Sequence, residues 1–91
     1  MNTYTPLRIL RKPQAMQALG LPLSTFNLRV RQRLITKPIS LGARAVGWPS
    51  SEIEALVNEI CRGASRERVG ELVIELESRR KASKTSLSGL R

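Results

Sequence analysis

Eight basic side chains, Arg8, Arg11, Lys12, Arg29, Arg31, Arg33, Lys37 and Arg44, precede the first carboxylate of the chain, Glu52. All seven acidic residues are glutamates and fall between Glu52 and Glu77. Cations gathered without counter-charges repel one another, and a folded half of one sign is most simply tolerated when a polyanion neutralises it. Duplex DNA is the commonest such partner. The plain alternative is a solvated basic surface with no specific partner, which leaves the helix and turn signals of the same segment without a purpose.

The same inventory excludes most other chemistry. The chain has no histidine and no aspartate. That removes the usual zinc ligand sets, the serine and cysteine triads, and carboxylate dyads containing Asp. The glutamates fall on helical surface positions, where solvation explains them. No enzymatic activity, metal or cofactor is therefore expected. The single cysteine, Cys61, cannot form an intramolecular disulfide. It fits a reducing cytosol and, on an apolar-periodic stretch, reads as a buried, unreactive thiol. No run reaches the ~18 apolar residues of a membrane span, and the N-terminus lacks the apolar core of a signal peptide. The expectation is a cytoplasmic, nucleoid-associated protein without membrane contact.

The elements that would position the cations belong to one small domain of 91 residues with net charge +9. With three aromatics (Tyr4, Phe26, Trp48), its core must be built mainly from Leu, Ile, Val and Ala. Leu7 to Arg11 is a short β-capable run between Pro6 and Pro13. Pro13 suits the first position of a helix over Gln14 to Leu19, which Gly20 ends. After Leu21-Pro22-Leu23, Ser24 or Thr25 caps a second helix running to about Arg33. Phe26, Val30 and Leu34 share its core sector, and Ser24, Thr25, Leu28, Arg31 and Gln32 lie nearly opposite. Two short helices around a Gly-containing turn, the second polar and basic outside, read as a helix-turn-helix.

Pro38 to Leu41 and Ala45 to Trp48 are two β-capable runs around Gly42-Ala43-Arg44, a hairpin with Arg44 at its tip. Trp48 reads as a core anchor rather than a stacking platform. Ser51-Glu52-Ile53-Glu54 is a capping box opening a helix that buries Ile53, Leu56, Val57 and Ile60 and stops at Gly63. Ser65 opens a last helix with Val69, Leu72, Val73 and Leu76 on one face, supported by the pairs Glu75 to Arg79 and Glu77 to Lys81. The fold expected is mainly α with a small β-hairpin wing: a winged helix-turn-helix plus an extra C-terminal helix. Its organisation is an N-terminal arm (1–6), the winged helix-turn-helix (7–63), the C-terminal helix (64–81) and a disordered tail (82–91).

Arg8 to Ile53 resembles the AlpA family of prophage regulators, small winged-helix relatives of the MerR DNA-binding domain. The residues that carry the likeness are Arg8-Ile9-Leu10-Arg11 with Pro13, Gly20-Leu21 with Ser24-Thr25, and Lys37-Pro38-Ile39. Its most specific piece is Leu41-Gly-Ala-Arg-Ala-Val-Gly-Trp48 with the following Ser51-Glu52-Ile53. Family members usually carry Ser-Arg in place of Pro22-Leu23, Tyr-Arg in place of Asn27-Leu28, and Gly in place of Arg33. The resemblance implies a role in a mobile element such as a prophage or genomic island. There the protein would act as a transcriptional regulator of integrase or excision genes, as an excisionase (a recombination directionality factor), or as both, with an integrase as possible partner.

In such a fold the second helix enters the major groove, and the wing tip reaches the minor groove or phosphates. Arg31 and Gln32 are then candidate base readers, Arg for guanine and Gln for adenine, with Asn27 a second adenine candidate. Leu28 can touch only a thymine methyl or sugar. Ser24 and Thr25, at a helix start, suit a phosphate. Arg29, Arg33 and Lys37 read as phosphate clamps and Arg44 as the wing contact. Each could instead be a solvated surface group.

The last helix has two readings. Its stripe either pads the core or, as the favoured reading, allows self-association on DNA through Val69, Leu72, Val73 and Leu76. Glu67, Glu71 and Glu75 would then offer an acidic side to a neighbour's basic half. The competing function is a protein-interaction module, antirepressor- or antitoxin-like, gripping its partner with Leu72, Val73 and Leu76. An RNA-binding role is disfavoured by the scarcity of aromatics for stacking.

Overall fold

The computed structural model describes the backbone of residues 8–89 and the side chains of residues 8–80. The expected N-terminal arm, and residues 90 and 91 of the expected tail, lie outside the described residues. Along the chain come β1 (Ile9–Leu10), α1 (Lys12–Leu19), α2 (Leu23–Arg31), β2 (Ile39–Gly42), β3 (Ala45–Pro49), α3 (Ser50–Cys61) and α4 (Arg66–Gly89).

Helix α1 begins at Lys12, so Pro13 takes its second position rather than its first. Its missing N–H still falls among the unpaired first-turn donors and costs nothing. The Arg11 N–H ahead of the helix donates to Gln14 Oε1 at 2.9 Å. Gly20 closes α1 in the left-handed region at φ 68°, where a glycine lacks the Cβ penalty. Helix α2 starts earlier than Ser24, because Pro22 supplies the carbonyl that accepts the Phe26 N–H at 2.9 Å. Pro22 is its N-cap, and Ser24 and Thr25 lie inside the first turn.

The sheet holds more than a hairpin. Its order is β1-β3-β2, with Leu10 opposite Trp48 and Ile39 opposite Gly47, all antiparallel. Beyond β1 the Arg8 N–H donates to Ser50 Oγ at 3.1 Å, and the Ser50 N–H donates to the Arg8 carbonyl at 2.7 Å. Gly47 lets β1 approach: a Cβ there would collide with the Ile9 side chain and stand 2.9 Å from the Leu10 carbonyl. Trp48, 1% exposed, is the anchor expected. Its ring meets Phe26 edge to face at 5.1 Å, and its Nε1–H donates to the Thr36 carbonyl at 2.7 Å. One side chain thus joins β3, α2 and the segment between α2 and β2.

Helix α3 packs on both α1 and α4, burying Ile53 and Leu56. The capping box is not formed: Pro49 is the N-cap and no side chain caps the helix. Strand β3 runs straight into α3, and this sets the start of the helix before Ser51 can act. Ile60 is 44% exposed and Cys61 is exposed, correcting both burial expectations. The packed stripe of α3 ends near Val57, because the chain turns away at Gly63, where φ is 79°.

Glu52 is no solvated carboxylate either. It is buried at the start of α3, and its two oxygens accept from Arg80 Nε and Nη2 at 2.7 and 2.6 Å. Such a bidentate pair satisfies a charge that would be costly to bury alone.

Helix α4 decides between its two readings. Val69, Leu72, Val73 and Leu76 are all buried within the chain's own core. They are therefore not available for self-association, nor for gripping a partner in the antirepressor- or antitoxin-like manner. Glu77 reaches Arg33; its expected pairing with Lys81 falls on a side chain outside the described residues. The helix also runs beyond residue 81 to Gly89, where a disordered tail was expected from Ala82. Extending a nucleated helix adds one hydrogen bond per residue fixed, whereas starting one is costly.

Ending the chain at Gly63 would strip these four side chains from the core and leave Glu52 buried without Arg80. We expect the shortened protein to lose its cooperative melting transition, followed by circular dichroism. A truncated chain that melts like the full one would contradict this packing. Trp48 emission should be blue-shifted in the full chain and move little on addition of DNA.

Candidate nucleic-acid interface

Helix α2 presents Ser24, Leu28, Arg31 and Gln32 to solvent, with Thr25, Asn27 and Arg29 half-exposed on its flanks. The first turn carries Ser24 and Thr25 ahead of the Phe26 N–H to Pro22 carbonyl bond. Their backbone N–H groups precede that bond and suit an anion. Arg44 is exposed in the connection between β2 and β3, at the tip where the sequence puts it.

Between α2 and the wing runs a groove of about 340 Å³ lined by Lys12, Asn27, Val30, Arg31, Pro38, Val46 and Trp48. Lys12 was given no role by sequence reasoning. It enters this groove because α1 starts beside α2, and its Nζ donates to Asn27 Oδ1 at 2.9 Å. Arg11 braces the same wing, its Nε–H donating to the Val46 carbonyl at 3.1 Å.

Other candidates are placed differently. Arg29 lines a small cavity together with Leu34, Ile60, Ala64, Arg66 and Val69, on the side of α2 nearest the turn between α3 and α4. Gln32 follows the last helical residue as C-cap, and its Oε1 accepts a long 3.4 Å contact from Arg66. The side chain of Lys37 is exposed, while its backbone N–H donates to Glu77 Oε2 and its carbonyl accepts from Arg80 Nη2, both at 2.9 Å.

Arg33 departs furthest from expectation. It is not part of α2, which ends at Arg31, but occupies the left-handed region at φ 63°. The Arg33 N–H donates to the Val30 carbonyl and the Leu34 N–H to the Arg29 carbonyl, at 3.1 and 2.9 Å. This closure normally takes a glycine. The guanidinium donates twice to Glu77, at 3.0 and 2.6 Å, so it is held by α4 rather than presented as a phosphate clamp. Arg33, with a second bond from the Lys37 N–H, holds the Glu77 carboxyl well below its ordinary 4.5, at about 2. Glu77 in turn raises the pKa of Arg33.

Every ion pair among the described residues uses a glutamate of α3 or α4. Of the eight early cations only Arg33 takes part in one. Glu71 and Glu75 are both within reach of Arg68, so the acidic side of α4 is partly neutralised from within. Among the described residues no cluster of acidic or cysteine side chains could hold a metal, and no helix is long and apolar enough to cross a membrane.

Two short helices, a three-stranded wing and a helix that leads back from it make this a winged helix-turn-helix fold. The chain belongs to the AlpA family: the family model described as Prophage CP4-57 regulatory protein (AlpA) matches residues 8–61. That is a family of regulators rather than of enzymes. No curated protein and no solved structure matches the chain. The matched stretch ends before α4, which brings Glu77 and Arg80 to the fold.

The Glu77 pair makes stability depend on acid. A carboxyl at about 2 when folded and near its ordinary value when unfolded stabilises fully above about pH 4.5. That contribution disappears as pH falls toward 2. It should amount to about 2 kcal/mol, after allowance for solvent around the half-exposed Arg33. Thermal melts of Glu77→Gln should start lower at neutral pH and lose less than the parent between pH 5 and 2. Parallel pH profiles for the two proteins would contradict it.

Proposed function

We propose that this AlpA-family protein binds duplex DNA of a mobile element in a sequence-specific way. It would control integrase or excision genes there, act as an excisionase, or do both, with an integrase as the partner of the excision role. The observation that supports the reading best is the grouping of unpaired cations on one set of elements. Arg31 on α2, Lys12 in the groove, Lys37 and the wing-tip Arg44 make no ion pair among the described residues. In this reading Arg31 and Asn27 meet base edges, and Leu28 packs on a thymine methyl or sugar. Ser24, Thr25, Arg29 and Lys37 hold phosphates, Gln32 lies at the edge of the contact, and Arg44 follows the adjacent groove.

Footprinting on the DNA that flanks the gene tests this most directly, and excision assays with a neighbouring integrase separate the two roles. If about four to six phosphates are neutralised, log K should fall with log[salt] at a slope of roughly −4 to −5. A titration without salt dependence would overturn the reading. Arg31→Ala should cost about 1–3 kcal/mol on the cognate site and relax one base pair, whereas Lys37→Ala should weaken all sequences alike. Equal losses on cognate and random DNA for Arg31→Ala would remove it as a reader.

A further inference from the structure

Asn27 and Lys12 together restrict what the groove beside α2 can recognise. A lysine ammonium only donates hydrogen bonds, so the amide atom that faces it must be the carbonyl oxygen, and no flip of the amide is compatible with the contact. The 2.9 Å bond from Lys12 Nζ therefore engages one lone pair of Asn27 Oδ1, while Nδ2 keeps its two hydrogens to donate. Arg31, four residues on and lining the same groove, is also only a donor. The polar side chains that line this groove thus offer mainly donors, and their one strong acceptor already carries an ammonium.

We propose that Lys12 is a specificity-determining residue: by engaging Asn27 Oδ1 it makes Asn27 select a base edge that only accepts. This rests on the DNA-binding reading above. In the major groove guanine presents N7 and O6, and thymine presents O4, as acceptors without a donor. Adenine presents an N6 donor beside N7, and cytosine an N4 donor. Asparagine ordinarily pairs with adenine because it accepts from N6 and donates to N7 at once. With one lone pair of Oδ1 held by Lys12, the N6 hydrogen would have to compete for the other beside an ammonium whose positive charge opposes a donor edge. Guanine or thymine is thereby favoured over adenine at this position.

Selection from randomised duplexes, followed by binding to the selected site with each base at each position, tests the assignment. Asn27→Ala identifies the base pair that Asn27 reads, as the position where preference is relaxed. The full-length protein should prefer guanine or thymine there. Lys12→Met keeps the length of the stem while freeing Oδ1, and should move the preference toward adenine by about five- to a hundredfold. Lys12→Arg, still a donor, should keep the original preference. Circular dichroism melts establish that each variant is folded. An adenine preference in the parent, or one unchanged in folded Lys12→Met, would overturn the proposal while leaving sequence-specific binding intact. Failure of the parent to enrich any sequence would instead overturn the DNA-binding reading, and this proposal with it.

Discussion

The grip of α4 on the segment between the second helix and the wing is the interaction on which the arrangement depends. Glu77 takes the Arg33 guanidinium and the Lys37 N–H, and Arg80 takes the Lys37 carbonyl and the buried Glu52. Four points, at the end of α2, at the N–H and the carbonyl of one residue before β2 and at the start of α3, are therefore tied to one helix. Hydrogen bonds to charged groups are worth more than neutral ones, and here they meet groups that water would otherwise have to serve. The same segment is held from below, where the Thr36 carbonyl accepts from Trp48. The spacing between helix and wing is set by these contacts rather than by a flexible connector.

Arg33 shows how α4 and the winged fold depend on each other. A left-handed residue other than glycine costs roughly 1–2 kcal/mol. The turn after α2 is closed by the Arg33 and Leu34 N–H groups, and the Arg33 side chain anchors Glu77. The strain is offset only while α4 is in place. Residues beyond the stretch matched by the family model thus support a conformation inside it.

Much of this was legible in the residues themselves. The period of Phe26 and Val30, the β-capable runs around Gly42 and the stripe from Val69 to Leu76 each report a local pattern. The three-dimensional result respects all of them. What local pattern could not supply was pairing over distance. The run around Ile9 gave no indication that it would join β3, because register depends on Gly47 making room 38 positions away. The helix starts were misplaced where proline and a directly preceding strand fixed the backbone before a serine could cap it. Glu52 and Glu77 looked like solvated surface because their partners, Arg80 and Arg33, lie 28 and 44 residues off. A signal for the second pair was present: an arginine where a glycine is usual asks what its side chain gains. At the site, exposure of Arg31 and Arg44 followed from the helical wheel and the turn. The Lys12 contact to Asn27 depended on how α1 meets α2, which no periodicity encodes.

A helix of nine residues needs help from outside itself to keep its shape. A segment so short is marginal on its own, since nucleation consumes most of what its few hydrogen bonds return. Helix α2 is fastened near its first turn by Phe26 against Trp48 and just past its last by Arg33 against Glu77. Between these fixed points lie Asn27, Leu28 and Arg31, whose side chains remain toward solvent or the groove. Anchoring the ends leaves the middle of one face free of structural duty, so its residues can change without loss of the fold. Leu23 and Leu28 are exposed on α2, while Phe26 stays in the core. A scaffold of this kind can keep its architecture while that face is altered one side chain at a time.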